Sequence, residues 1–173
     1  MMQSEQPIIT TERLKLRPIM AKDINDVYRG LSHPKVISFY GVSFESLAAT
    51  REQMQWYAQP QQLWWAVMSL DGTQFYGAGG LNDIDLKAGK AEIGFWLLPQ
   101  HWGYGYMQEV LPLIVNHGLN SLGLNRIEGF VDSDNINCKR AMAKLDFTHE
   151  KTVLAAEQKA GRSIDVEVYV KTA

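Results

Sequence analysis

Apolar and charged residues alternate in RLKLRPI, and that period of two predicts a strand over 13–19. The next segment, AKDINDVYRGL, changes period. Ile24, Val27, Tyr28 and Leu31 recur at helical spacing. SHPKVISFYG reads as a turn with one helical turn in it, and FESLAATREQMQWYA as a second helix with Ser43 as its N-cap candidate. LWWAVMSL is a strand closed by Asp71 and Gly72, a strong hairpin signal, and FYGAGGLNDIDL returns. KAGK turns the chain again into AEIGFWLLP, apolar enough to be covered on both faces.

A long helix is predicted over 104–122, with Met107, Val110, Leu111, Ile114, Gly118 and Leu122 on its stripe and a kink expected at Pro112. RIEGFVD is the next strand. NINCKRAMAKLD is a short helix with Cys138, Ala141, Met142 and Leu145 on one face, and FTHEKTVLAA and SIDVEVYVK form a closing strand pair. The order β–α–α–β–β–β–α–β–α–β–β predicts an α/β (α+β) fold. Its sheet is mixed and mostly antiparallel, of six to seven strands, with helices on both faces.

Composition adds boundaries. The 173 residues fit one domain, 1–173, with no linker, repeat or low-complexity segment. A net charge of −2 lacks the basic footprint of a general nucleic-acid binder, so no nucleic-acid partner is expected. Cys138 is the only cysteine, which excludes an intrachain disulfide and suits a reducing compartment. The first residues lack a basic-then-apolar leader pattern, and no apolar run approaches the ~20 residues of a membrane helix. A cytoplasmic protein without a membrane partner is expected.

The chemistry concentrates at one place. A strand ends near Pro99, a loop carries Gly103 and Gly105, and a helix begins at once. The first N–H groups of a helix have no internal partner, the helix dipole adds positive charge, and glycines let backbone approach a bulky anion. Such a site takes phosphate or pyrophosphate. It is no Walker loop, because no Gly-Lys-Ser/Thr follows. It is no dinucleotide fingerprint either, because the third glycine is missing and the flanking strands are read as lacking the parallel βαβ arrangement. On these two glycines alone, a simple turn into a helix is the favoured explanation.

The surrounding frame resembles the GNAT N-acetyltransferase superfamily, in particular its RimJ/RimL-type branch, over nearly the whole chain. TERLKLRPIMAKD is similar to the family's opening strand and helix. AEIGFWLLPQHWGYGYMQEVL is similar to its acetyl-CoA motif, with Gln100-x-x-Gly103-x-Gly105 in place, and RIEGFVDSDNINCKRAMAKLDF to its next strand and helix. The resemblance implies acetyl-CoA as co-substrate and no metal. It places backbone N–H groups of Trp102, Gly103, Tyr104, Gly105, Tyr106 and Met107 on the pyrophosphate, with His101 near a phosphate. Phe95, Trp96, Leu97 and Leu98 would offer backbone groups to the pantetheine arm, which pairs like an added strand. The arm would lie where this strand splays from RIEGFVD, with Asn135 on its other side.

Acetyl transfer to an amine needs a neutral nucleophile, although an alkylammonium has a pKa of about 10. It also needs a hydrogen bond to the developing oxyanion and a proton for the leaving thiolate. Glu92, the one acid in AEIGFWLLP, is the first candidate for the base, acting through water, with Glu128 and Asp132 in reserve. Glu92 at the strand's edge, solvated or paired with Lys90, is the competing reading. Where many GNAT enzymes carry a tyrosine donor this chain has Met142, and the branch's serine position is Cys138. Cys138 is therefore the candidate donor, or else a small apolar core residue.

His33, His101, His117 and His149 show no metal-ligand spacing. One or two of Phe39, Tyr40, Trp56, Tyr57, Trp64 and Trp65 are expected to face the acceptor, the rest to fill the core. The branch acts on protein N-terminal amines, including ribosomal ones, and on small amines. The acceptor is therefore a protein N-terminus or a small-molecule amine, and the assembly a monomer or homodimer. A CoA-binding sensor without turnover and a structural adaptor without ligand are the other two classes.

Overall fold

The computed structural model describes residues 6–38, 43–159 and 161–173. Among the described residues, eight strands form one sheet in the order β1-β2-β3-β4-β5-β6-β8-β7. They are β1 (Ile9–Thr10), β2 (Leu14–Pro18), β3 (Leu63–Ser69), β4 (Phe75–Asp85), β5 (Lys90–Leu97), β6 (Arg126–Asp132), β7 (Thr148–Lys159) and β8 (Arg162–Thr172). Seven correspond to the strands expected from the sequence, although β7 is exposed along almost its whole length. The eighth, β1, is two residues long and offers no period to read.

The helices are α1 (Ile24–Leu31), α2 (Pro34–Ile37), α3 (Leu47–Tyr57), α4 (Tyr106–Asn116) and α5 (Ile136–Lys144). The N-cap of α3 is Ser46, not Ser43: its hydroxyl accepts from the Ala49 N–H at 3.1 Å. Helix α4 starts two residues later than the pattern suggests. Gly103 (φ +84°) and Gly105 (φ +80°) are left-handed, which holds Tyr104 outside the helix. It also ends early, giving way to a wider turn over His117–Ser121, where the Leu122 N–H reaches back to His117 O at 3.0 Å. Pro112 sits inside α4.

Alternation along β3 feeds two cores. Leu63, Trp65 and Val67 join Leu81, Ile93 and Ile127 beneath Val110, Leu111 and Ile114 of α4 and Met142 of α5. Trp64, Ala66 and Met68 pack with Ala78 and Trp96 against Val27 and Leu31 of α1 and Met54 and Tyr57 of α3. Helices thus cover both faces, as the element order predicts.

Every neighbouring strand pair is antiparallel except β5 and β6. This corrects the reading of the strands around the glycine loop. β5–α4–β6 is a parallel crossover, a non-local relationship that a local pattern does not carry. The case against a dinucleotide fingerprint then rests on the missing third glycine alone.

Candidate active site

The parallel pairing is short. Lys90, Ala91 and Glu92 pair with Arg126, Ile127 and Glu128, and there it stops, although β5 runs on to Leu97 and β6 to Asp132. β6 keeps its partner β8 along its whole length. The sheet therefore opens between β5 and β6, and a cleft of about 1000 Å³ passes through the opening. On one side it reaches Tyr106, Met107 and Leu111 of α4 and Cys138 and Met142 of α5; on the other, Glu52, Gln53 and Trp56 of α3.

Strand geometry decides what β5 offers this gap. The Leu98 N–H donates to Tyr76 O on the β4 side at 2.9 Å. Backbone groups alternate sides along a strand, so Leu98 and Trp96 face β4 while Leu97 and Phe95 face the gap. The Trp102 indole donates to Leu97 O at 2.9 Å, from the gap side. Of the four residues expected along an extended ligand, Phe95 and Leu97 have backbone groups placed for it. Trp96 and Leu98 do not, because theirs belong to the β4 ladder.

At the far end of β5 the glycine loop meets α4. The first α4 bond runs from Glu109 N–H to Gly105 O at 3.2 Å, so the N–H groups of Tyr106, Met107 and Gln108 precede the helical ladder and point outward from its positive end. Trp102 is different. Its N–H donates to Pro99 O at 3.1 Å, and that of His101 to Leu98 O at 2.9 Å, so neither peptide is open to an anion. Gly103, Gly105, His101 and Trp102 line the cleft; Gln100 and Tyr104 are exposed beside it and Leu98 is buried behind it. Burial pushes the His101 imidazole below its ordinary pKa, and its ring stacks on Tyr76 at 3.9 Å. These features fit an extended ligand ended by a diphosphate: two left-handed glycines that keep side chains away, three outward N–H groups and a strand edge left open.

Glu92 is half-buried and lines the cleft opposite Asn82 of β4. Its pKa is raised to about 7, first by burial, then by the nearby charges of Asp83, Glu128 and Glu157. Among the described residues nothing pairs with it or donates to it, and Lys90 is exposed and makes no ion pair with it. The two reserve acids are tied down. Glu128 Oε2 accepts from Arg126 Nη2 at 3.0 Å and from Nε at 3.2 Å. Asp132 is buried, and its Oδ1 accepts from the Asp134 N–H at 2.8 Å.

Cys138 is half-buried at the cleft, and burial pushes its thiol up to about 11, so it keeps its proton near neutrality. Asn135 caps α5, its Oδ1 accepting from the Cys138 N–H at 3.1 Å, which leaves the amide NH₂ to donate into the cleft. Met142 is also on the lining. Of the expected acceptor aromatics, Trp56 lines the cleft and Tyr57, Trp64 and Trp65 are buried in the core. Phe39 and Tyr40 lie outside the described residues. The sequence reading missed Asn82, Glu52 and Glu157, which come to the cleft from β4, α3 and β7. Their only signal is tertiary.

The histidines have separate tasks. His33 Nδ1 accepts from the Lys35 N–H at 3.1 Å, His117 packs edge-on against Trp65, and His149 Nε2 is 2.9 Å from Glu167. Among the described residues no three His, Cys, Asp or Glu side chains are grouped to hold a metal, and no helix is long and apolar enough to cross a membrane.

Comparison with known proteins agrees with this geometry. Residues 13–148 match the acetyltransferase (GNAT) domain family. The uncharacterised N-acetyltransferase YoaA of Bacillus subtilis is 30% identical over 168 residues, 94% of this chain and 95% of that protein. The uncharacterised N-acetyltransferase p20 of Bacillus licheniformis is 30% identical over 164 residues, 92% of each. In fold, a Vibrio cholerae spermidine N-acetyltransferase solved with CoA and spermine superposes with a TM-score of 0.86 at 18% identity, covering 94% of this chain and 96% of that one. RimL, a ribosomal-protein α-N-acetyltransferase solved with CoA, gives 0.85 at 20% identity over 96% and 98%. The chain belongs to the GNAT family of N-acetyltransferases and is an acyltransferase.

Proposed function

We propose that the chain is an acetyl-CoA-dependent enzyme of the RimJ/RimL-type branch that acetylates a primary amine in the β5–β6 cleft. One observation carries this reading: the sheet parts immediately after Glu92, with the unpaired first N–H groups of α4 at one end of the opening and a carboxylate of pKa about 7 at the other. In this reading the N–H groups of Gly105, Tyr106, Met107 and Gln108 hold the pyrophosphate, and Phe95 and Leu97 align the pantetheine arm with Asn135 across from them. A gap-facing N–H of β5 donates to the thioester oxygen as charge develops there. Glu92, through water, takes the proton of the incoming ammonium. Cys138 keeps its S–H at neutral pH and offers it as a hydrogen bond to the departing sulfur, which takes its proton from solvent.

The acceptor enters from the α3 side. Among the described residues, Glu52, Glu92, Asp132 and Glu157 line the cleft against one cation, Lys35, which favours an amine that arrives charged. A small polyamine and a protein N-terminus, the substrates that the structural neighbours' names give for those proteins, both meet that condition. The protein would work in the cytoplasm as one domain spanning 1–173, as a monomer or homodimer.

A second reading has one observation of its own. Met142 sits on the cleft lining where many relatives carry a hydroxyl donor, as a CoA-binding sensor without turnover would have it. The test is thiol release from acetyl-CoA at pH 8 with spermidine, spermine and short peptides bearing free N-termini. Amine-dependent release and an acetylated product by mass spectrometry support the enzyme reading. CoA binding without release supports the sensor, and no binding removes both.

A further inference from the structure

Beyond its own local hydrogen bonds, the glycine loop is braced by groups from the other end of the chain. Arg13 lies in the turn that leads into β2, outside the cleft lining. Its Nη1 donates to Tyr104 O at 2.8 Å, across 91 positions of sequence. Its Nε donates to Glu109 Oε1 at 2.8 Å, and Nη2 reaches the same oxygen at 2.7 Å. The other oxygen of Glu109 accepts from the Thr11 hydroxyl. The guanidinium also sits 4.7 Å from the centre of the Tyr106 ring.

Tyr104 is the residue between the two left-handed glycines. In a trans peptide the C=O and the following N–H point in opposite directions. Fixing Tyr104 O on Arg13 therefore aims the Gly105 N–H away from Arg13. Gly105 lines the cleft, whereas Tyr104 and Arg13 do not. The freedom of Gly105 would otherwise let this peptide rotate at little cost.

We propose that Arg13 is a positioning residue for the donor. From behind the loop it locks the Tyr104–Gly105 peptide, and with Glu109 the first turn of α4, so that the Gly105 N–H joins those of Tyr106, Met107 and Gln108 on the diphosphate. This rests on the acetyl-CoA reading given above. Arginine suits this place because one planar fork reaches a carbonyl and a carboxylate at once in fixed geometry, which the rotatable ammonium of a lysine does not fix.

The experiment compares two donors, acetyl-CoA and S-acetylpantetheine, which keeps the thioester and lacks the diphosphate. In Arg13→Met the KM for acetyl-CoA should rise roughly 10- to 100-fold with kcat within about threefold, and kcat/KM for S-acetylpantetheine should stay within about twofold. Arg13→Lys should recover part of the loss. Glu109→Gln, which keeps the shape of the anchor and removes its charge, should shift the same KM in the same direction if Arg13→Met does not fold. An equal loss for both donors, or an unchanged KM for acetyl-CoA, overturns the role of Arg13. A wild-type protein that neither binds nor uses acetyl-CoA overturns the acetyl-CoA reading and this inference with it, whereas wild-type activity with unresponsive variants overturns this inference alone.

Discussion

Glu92 and Glu128 are register partners across the parallel strand pair, and their carboxylates are held in opposite ways. Glu128 has Arg126 at 3.0 Å. Glu92 has no cation beside it among the described residues, and burial first, then Asp83, Glu128 and Glu157, lifts its pKa to about 7. One strand position therefore carries a structural ion pair on one side and a titrating acid on the other. That difference selects Glu92 over Glu128 as the base candidate.

The Glu92 shift has a consequence for stability. An unfolded glutamate titrates near 4.3 and the folded one at about 7, so between these values the folded chain binds the extra proton. Stability therefore falls as pH rises from about 4.5 to 7, and the full penalty stays in place above 7. Its upper bound is on the order of 4 kcal/mol. Denaturant melts of wild type and Glu92→Gln should diverge in the variant's favour from pH 4.5 to 8. A difference that does not change with pH contradicts the shift.

Gly105 has φ +80°, and a Cβ there would lie 3.7 Å from Arg13 Nη2. Gly105→Val should stay folded by circular dichroism and weaken CoA binding by tenfold or more in a calorimetric titration, because both the left-handed turn and the approach of an anion suffer. Unchanged affinity in a folded variant contradicts the diphosphate assignment.

Gly30 of α1 packs on Trp96 so closely that a Cβ would fall 2.1 Å from ring atom Cζ3. Trp96 is 3% exposed and cannot move aside. Gly30→Ala should cost about 1–3 kcal/mol in equilibrium unfolding, the usual range for overpacking, despite the better helix propensity of alanine. A neutral or stabilising result contradicts the packing.

Cys138, with its thiol pushed up to about 11, should react with iodoacetamide at pH 8 roughly 100-fold more slowly than free cysteine, since only the thiolate attacks. Alkylation at the ordinary rate, followed by mass spectrometry, contradicts the burial of this group.

Much of this arrangement is legible in the chain itself. Strand β2 shows through a period of two, β3 and β5 show through apolar runs bounded by turn residues because both of their faces meet helices, and the glycine loop shows through two glycines placed just ahead of a helix, both left-handed in the structure. What stays hidden is non-local. Nothing near Glu92 says that its strand leaves β6 one residue later, and nothing near Trp102 says that its N–H turns back to Pro99. The choice of Phe95 and Leu97 over Trp96 and Leu98 depends on which side β4 lies. Arg13 looks like an ordinary strand-edge arginine until the fold places Tyr104 O against it.

The central claim is that Glu92 is the proton acceptor of an acetyl transfer in this cleft, and the pH profile of kcat/KM tests it most directly. With acetyl-CoA and an amine acceptor, wild-type activity should rise through an acidic limb near pH 7, where Glu92 loses its proton. Glu92→Gln should bind acetyl-CoA with nearly unchanged affinity, lose roughly two to four orders of magnitude in turnover, and show no such limb. A variant that keeps near-normal turnover and retains the limb contradicts the claim.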